Sequence, residues 1–153
     1  MTARIGVVAP GGMGAAIAAR LGGACADVVT SLEGRSAASR ERATAAGMRD
    51  VGDAGLAEAA VILSVVPPDQ ALPLARRLSA AVAGAGGAPI YVDCNAVGPG
   101  LAAAIADVVE GAGVAFVDGG LIGLPPRPDA PGPTLFLSGA RAEAVSAMLA
   151  PLG

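Results

Sequence analysis

The segment Arg4–Leu21 reads RIGVVAPGGMGAAIAARL and decides the fold of this 153-residue chain. A short apolar run containing Ile5, Val7 and Val8 leads into a glycine-rich turn, and an alanine-rich helical pattern follows directly. A strand that enters a glycine turn and then a helix is typical of the first unit of a doubly wound α/β fold. The turn lets the backbone approach a pyrophosphate, and the helix N-terminus receives its charge. The segment therefore predicts a dinucleotide site at residues 9–14.

The glycine pattern of this turn departs from the full G-x-G-x-x-G at its first position. Gly11 is kept where the backbone meets phosphate, and Gly14 is kept where the helix packs against the strand. A glycine-rich turn with no ligand is the alternative, but the position between a strand and a helix favours a cofactor. We assign to the cofactor site the turn residues Ala9, Pro10, Gly11, Gly12 and Met13.

The composition limits the class of protein. Hydrophobic residues make up 54% of the chain and aromatic residues only 2%, which favours a parallel sheet buried on both faces by small aliphatic side chains. The length predicts a single domain over residues 1–153. All basic residues are arginine, so the lysine and histidine side chains often used for proton transfer are absent. The net charge of −3 argues against a nucleic-acid partner.

Neither a membrane segment nor a metal site is predicted. No apolar run approaches the roughly 20 residues that span a bilayer, and the N-terminus lacks the layout of a signal peptide, so we expect a cytoplasmic protein. Cys25 and Cys94 lie far apart in the sequence and near no histidine, so neither a disulfide framework nor zinc is expected. We expect both thiols to be reduced and to lie in the core.

Strand and helix patterns alternate along the rest of the chain. This alternation predicts a doubly wound, Rossmann-type, mainly parallel sheet in one α/β domain. A proline- and glycine-rich loop is expected at 119–133, either as a substrate-side loop or as a partly mobile segment. Predicted strands cover 27–32, 48–51, 61–66, 90–93, 114–118 and 134–138. Predicted helices cover 36–46, 53–60, 69–83, 99–110 and 141–149, with Pro73 near the first turn of its helix.

The end of the second strand bears on cofactor choice. An acidic residue there favours the ribose hydroxyl of NAD, whereas an arginine meets the 2′-phosphate of NADP. The chain offers both Glu33 and Arg35. Ser36 follows and is expected to cap the next helix, so that a phosphate would meet a guanidinium, a hydroxyl and free N–H groups. We favour NADP, with NAD and a merely solvated Arg35 as the alternatives.

Further candidate residues follow the other strands, because ligands bind beyond the carboxyl ends of strands in such sheets. Asn95 is expected to face a carboxamide or a substrate carboxylate, and a turn-forming asparagine is the alternative. Asp93 and Asp118 each end a strand. Nothing in the sequence makes these two carboxyl groups face each other, so we assign no catalytic residue.

These motifs together resemble the N-terminal domain of the 6-phosphogluconate dehydrogenase and 3-hydroxyacid (3-hydroxyisobutyrate) dehydrogenase superfamily, over nearly the whole chain. Gly6–Gly14 is similar to the family's G-x-x-G-x-G-x-M-G, and Glu33–Ser36 to its asparagine-arginine-threonine stretch. DCNAVGP at Asp93–Pro99 resembles D-x-S-T-x-x-P, and FVDGGLIG at Phe116–Gly123 resembles F-x-D-A-P-V-S-G.

The resemblance implies roles for particular residues. A cofactor-contacting corner is implied at Val66 and Pro67, and Asn95 is implied to contact cofactor and substrate. Further substrate contacts are implied at Ala96, Gly120, Ile122 and Gly123.

The resemblance also implies that this chain is the cofactor-binding half of an NADP-dependent dehydrogenase or reductase. The family's catalytic lysine and all-helical C-terminal domain lie beyond the matched region. We therefore expect a chain that does not turn over alone and that self-associates through the surface left open. An imine-reducing or deazaflavin-linked relative shares the same domain. A stand-alone nucleotide-binding or redox-sensing module is the alternative from another class.

Overall fold

The computed structural model describes residues 2–8, 11–24 and 26–153. Within them the strands are β1 Arg4–Val8, β2 Asp27–Thr30, β3 Arg49–Asp50, β4 Val61–Ser64, β5 Ile90–Asp93, β6 Ala115–Ile122 and β7 Thr134–Ser138. The helices are α1 Gly12–Gly23, α2 Ala37–Ala45, α3 Gly52–Gly55, α4 Pro68–Gly84, α5 Pro99–Gly111 and α6 Ala142–Leu149. Short 3₁₀ turns cover Leu56–Glu58 and Ala150–Leu152.

The strands form one sheet in the order β3-β2-β1-β4-β5-β6-β7. All neighbouring pairs are parallel except β6 and β7, which are antiparallel. This arrangement confirms the predicted doubly wound, mainly parallel α/β domain. The chain first winds outward from β1 to β3 and then returns to the other side of β1, so a crevice opens at the carboxyl ends of β1 and β4.

Small aliphatic side chains fill both faces of the sheet. Every residue of β4 and β5 is buried, as expected for central strands covered on two sides. One apolar layer includes Leu78 of α4 and Ile105 of α5, and the opposite layer includes Ala18 of α1 and Val145 of α6. In the described ranges, no helix has the length and apolar content needed to cross a membrane.

The structure corrects the predicted loop at 119–133. Residues 119–122 belong to β6 and pair with β7, so this part of the prediction was wrong. The glycines were interpreted as a break, but Gly119 serves close packing. A Cβ at this position would lie 3.0 Å from the backbone oxygen of Asp93 and 3.1 Å from Cγ1 of Val92. Glycine is therefore needed here because the neighbouring strand lies close.

Further boundaries also differ from the predictions, among them those of β2, β4 and α4. β2 and β4 end at Thr30 and Ser64, earlier than predicted, because their pairing with β3 and β5 stops there. α4 begins at Pro68, which places Pro73 in the interior of the helix rather than near its first turn. Pro68 occupies the first helical position, where a missing N–H costs little, whereas Pro73 leaves the carbonyl of Asp69 without its helical donor.

Replacing Leu78 with alanine is expected to lower the free energy of unfolding by roughly 2–5 kcal/mol, because a fully buried side chain would leave a cavity between α4 and the sheet. Urea unfolding followed by circular dichroism measures the change. Leu124→Ala is the matched control, since Leu124 is 70% exposed and its truncation should change stability little. Equal losses in the two variants would contradict the assigned core.

Candidate functional site

The N-terminus of α1 lies at the crevice between β1 and β4. Gly11 precedes the helix in an extended conformation, with φ −78° and ψ −175°, and makes no side-chain cap. No side chain of the described residues caps the first N–H groups of the helix. A Cβ built at Gly11 or at Gly12 would meet no other atom of the described residues within 4 Å, chain neighbours and the backbone of the helix aside. Open space beside free N–H groups fits a pyrophosphate.

The other residues assigned to this turn differ in what can be described. Met13 lies in the first turn of α1 and is half-buried. Ala9 and Pro10 lie outside the described residues. Gly14 is buried within α1, as expected for a position where helix and strand approach closely. The predicted strand–turn–helix order is therefore present around the turn.

The turn after β2 holds Glu33 and Arg35 in different environments. Oε1 of Glu33 accepts a hydrogen bond of 3.0 Å from the backbone N–H of Asp53, so this carboxylate is engaged with the start of α3. Nε of Arg35 is buried and has no hydrogen-bond partner within the described residues. Burial lowers the pKa of Arg35, the charge of Arg77 lowers it further, and Asp53 acts in the opposite direction. An anion would relieve this environment.

Ser36 caps α2 as predicted. Its side chain accepts a hydrogen bond of 3.2 Å from the backbone N–H of Ser39, and the residue is extended with φ −66° and ψ 161°. The cap places Arg35 immediately before the N-terminus of a nine-residue helix. A positive side chain and a positive helix end therefore lie at the same turn.

Asn95 joins the ends of β4 and β5 rather than standing open to the crevice. Its Oδ1 accepts a bond of 2.7 Å from the backbone N–H of Val66, and its Nδ2 donates to Oγ of Ser64 and to Oδ1 of Asp93. Both amide hydrogens are thus used inside the protein, and the residue is only 6% exposed. Its predicted role toward cofactor and substrate stays a prediction.

The remaining predicted residues surround the same edge. Val66 is buried, and exposed Pro67 precedes α4. Ala96 is exposed after β5. Gly120 and Ile122 lie on β6, where the side chain of Ile122 is 67% exposed, and Gly123 follows with a positive φ of 131°. These residues follow β4 and β5 or lie at the carboxyl end of β6. Since these three strands are neighbours in the sheet, the fold brings the residues to one edge.

Asp93 and Asp118 are opposite each other on neighbouring strands, which the sequence did not establish. They are register partners in the parallel pair of β5 and β6. Asp93 is fully buried, and its Oδ2 has no partner in the described part of the chain. Burial raises the pKa of Asp93 to about 6; the hydrogen bond from Asn95 lowers it, and the nearby charge of Asp118 raises it.

Neither a reactive thiol nor a metal site appears among the described residues. Cys94 is 5% exposed, and burial raises the pKa of its thiol, so it stays protonated and unreactive. It lines an apolar pocket of about 240 Å³ beside α1 and α6. Cys25 lies outside the described residues. No group of three or more His, Cys, Asp or Glu side chains in the described ranges is placed to hold a metal ion.

Two residues missed by the sequence analysis, Asp53 and Arg77, lie close to the turn after β2. Asp53 was interpreted only as the start of a helix, and Arg77 as part of one. Oδ2 of Asp53 lies 2.8 Å from Nε of Arg77, and Oδ1 accepts a hydrogen bond from Oγ of Ser31. A doublet of arginines at 76–77 in α4 is the only sequence signal, and it does not indicate a partner.

The chain is similar to several solved structures. A conserved protein of unknown function, structurally similar to 3-hydroxyacid dehydrogenases, is 31% identical with a TM-score of 0.84, over 98% of this chain and 55% of that one. An imine reductase from Myxococcus stipitatus, in complex with NAD+, is 20% identical with a TM-score of 0.79, over 100% and 53%. A reductive aminase from Aspergillus terreus, in complex with NADPH4, cyclohexanone and allyl amine, is 19% identical with a TM-score of 0.75, over 100% and 53%.

The fold is a Rossmann-type α/β fold, and its crevice lies where folds of this class bind their ligands. More narrowly, the chain has the fold of the N-terminal domains of 3-hydroxyacid dehydrogenase-like proteins, which confirms the resemblance predicted from the motifs. The chain spans about half the length of the structures it matches. No protein-family model matches the sequence, and no curated protein does.

The raised pKa of Asp93 predicts a pH-dependent stability. The folded state keeps its proton up to about pH 6, whereas the unfolded state releases it near pH 4, so the extra stability is present below about pH 4 and is lost as pH rises to about 6. The loss is on the order of 2–3 kcal/mol. Urea unfolding between pH 4 and 7 measures it.

Asp93→Asn should remove this loss, because asparagine has no proton to release. Asp129→Asn is the control, since Asp129 is exposed and its replacement should leave the wild-type pH dependence in place. Parallel stability curves for wild type and Asp93→Asn would show that Asp93 titrates normally in the folded chain.

Proposed function

We propose that the chain binds NADP(H) as the cofactor domain of a hydride-transfer oxidoreductase. The observation that carries the proposal is the pairing of two anion-binding features along one edge of the sheet. The first is the open N-terminus of α1 at Gly11 and Gly12. The second is the unpartnered Nε of Arg35 beside the capped N-terminus of α2. A dinucleotide with a 2′-phosphate has an anionic group for each.

The preference for NADP over NAD rests on the two side chains after β2. NAD needs a free acidic group for its ribose hydroxyl, but one oxygen of Glu33 already accepts from the N–H of Asp53. Arg35, by contrast, has a buried N–H group that lacks an acceptor among the described residues. A buried donor without a partner carries a desolvation cost that a phosphate oxygen would remove.

The bound cofactor would supply the hydride chemistry, and the chain's own residues would hold and orient it. We propose that Gly11, Gly12 and Met13 contact the pyrophosphate and that Arg35 and Ser36 contact the 2′-phosphate. The nicotinamide would lie toward Val66 and Pro67 and toward the ends of β5 and β6. There Ala96, Gly120, Ile122 and Gly123 would meet a small-molecule substrate.

We also propose that this chain alone neither reduces nor oxidises hydroxyacids. Hydride transfer at an alcohol carbon is accompanied by proton transfer at oxygen, and a positioned acid or base contributes typically about 10²- to 10⁴-fold. The sequence contains no lysine or histidine for that step, and Asp93 is fully buried. A separate helical partner domain would supply the group. The redox-sensing alternative finds no support in Cys94, whose thiol is buried.

Gly12→Asp is expected to abolish binding of both NADPH and NADH, because a carboxylate would occupy the place of the pyrophosphate. The variant should fold, since a Cβ there meets nothing within 4 Å. Gly23→Asp is the matched control, because Gly23 ends the same helix and also has open space. Calorimetric titration measures both. Normal binding by folded Gly12→Asp would exclude this helix as the pyrophosphate site.

Arg35→Ala is expected to weaken NADPH binding by roughly ten- to a hundredfold and to leave NADH binding nearly unchanged, because only NADPH carries the 2′-phosphate. Parallel titrations with the two cofactors measure the effect. Arg141→Ala is the control, since Arg141 is an exposed arginine at the start of α6. An equal loss for both cofactors, or a wild-type preference for NADH, would overturn the NADP assignment.

A further inference from the structure

A buried carboxylate connects the turn after β2 with α4. Asp53 is only 6% exposed, and its Oδ1 accepts from Oγ of Ser31 at the end of β2. Nε of Arg77 on α4 lies 2.8 Å from Oδ2 of the same carboxylate. The backbone N–H of Asp53 donates to Glu33. These contacts hold the guanidinium of Arg77 at the carboxyl end of β2, although α4 itself starts at the end of β4.

Arg77 therefore lies in the neighbourhood of Arg35. The two cations are close enough that the charge of Arg77 contributes to lowering the pKa of Arg35. Like charges held together by a fold repel each other, and the carboxylate of Asp53 pairs directly with Arg77 while it acts on Arg35 only as a nearby charge. The side chain of Arg77 is 41% exposed, so part of its guanidinium is open to solvent and to a ligand.

We propose that Arg77 is a second residue that selects the 2′-phosphate, acting beside Arg35, and that Asp53 orients it. The proposal rests on the proposed NADP(H) function. Two guanidinium groups near the same turn match a phosphate monoester, which carries close to two negative charges near neutral pH. Arginine suits this role because its planar donors bind phosphate in a fixed geometry and can serve two acceptors at once.

The direct role of Arg77 is distinguished from a structural role by three variants. Arg77→Met removes the charge and keeps an apolar stem of similar length. Arg76→Met is the matched control, since Arg76 is the preceding residue on α4, is exposed, and changes the net charge equally. Asp53→Asn keeps the size of the side chain and its ability to contact Ser31 and Arg77, but it removes the negative charge near the phosphate.

The experiment titrates each variant with NADPH and with NADH. Arg77→Met should weaken NADPH binding roughly three- to tenfold, as expected for a partly exposed ion pair, with NADH binding unchanged. Arg76→Met should change neither affinity. Asp53→Asn should bind NADPH as tightly as wild type or more tightly, because the repulsion between carboxylate and phosphate is gone. Circular dichroism confirms that each variant is folded.

The outcomes separate this proposal from the one on which it rests. If wild type prefers NADPH but Arg77→Met behaves like Arg76→Met, Arg77 does not select phosphate, and the NADP(H) function stands. If Arg77→Met weakens the binding of NADPH and NADH equally, the pair acts by holding the turn in place, and a direct role of Arg77 is overturned. If wild type binds neither cofactor, both proposals fail.

Discussion

The reversal of strand order beside β1 is the constraint on which the rest of the structure depends. Because β2 and β3 lie on one side of β1 and β4 to β7 lie on the other, the connections leave β1 and β4 in opposite directions. The two strand ends then have no connecting segment between them, and a crevice opens. The N-terminus of α1, the turn at Arg35 and the corner at Pro67 all owe their placement to this reversal.

Some polar groups around the crevice form hydrogen bonds within the protein, and others have no such partner among the described residues. Asn95 uses its amide to join β4 and β5, and Glu33 uses an oxygen to hold the start of α3. Arg35 and the first turn of α1 lack such internal partners within the described residues. The unpartnered groups of Arg35 and of α1 are donors, so their part of the edge suits an anionic ligand even though the whole chain has a net charge of −3.

Local patterns predicted the fold well because each element of a parallel sheet has its own signal. Val61–Leu63 is apolar, and Ser36 caps its helix, so each element could be predicted from nearby residues alone. Residues 119–122 were misassigned because the glycine at position 119 is required by the close approach of β5, which lies far away in the sequence. Asp53 and Arg77 were missed for the same reason: their contact depends on where α3 and α4 pack. The predicted ligand contacts themselves stay predictions.

The hydrogen bonds of Asn95 have a thermodynamic consequence for any ligand of the crevice. Ser64, Val66 and Asp93 are fixed to one side chain, so the floor between β4 and β5 is already ordered before a ligand arrives. A ligand that binds there loses its own freedom of motion, but the protein at that point loses little further conformational entropy. The conformational entropy change on binding is then concentrated in the exposed side chains at the rim, with Arg77 and Ile122 among them.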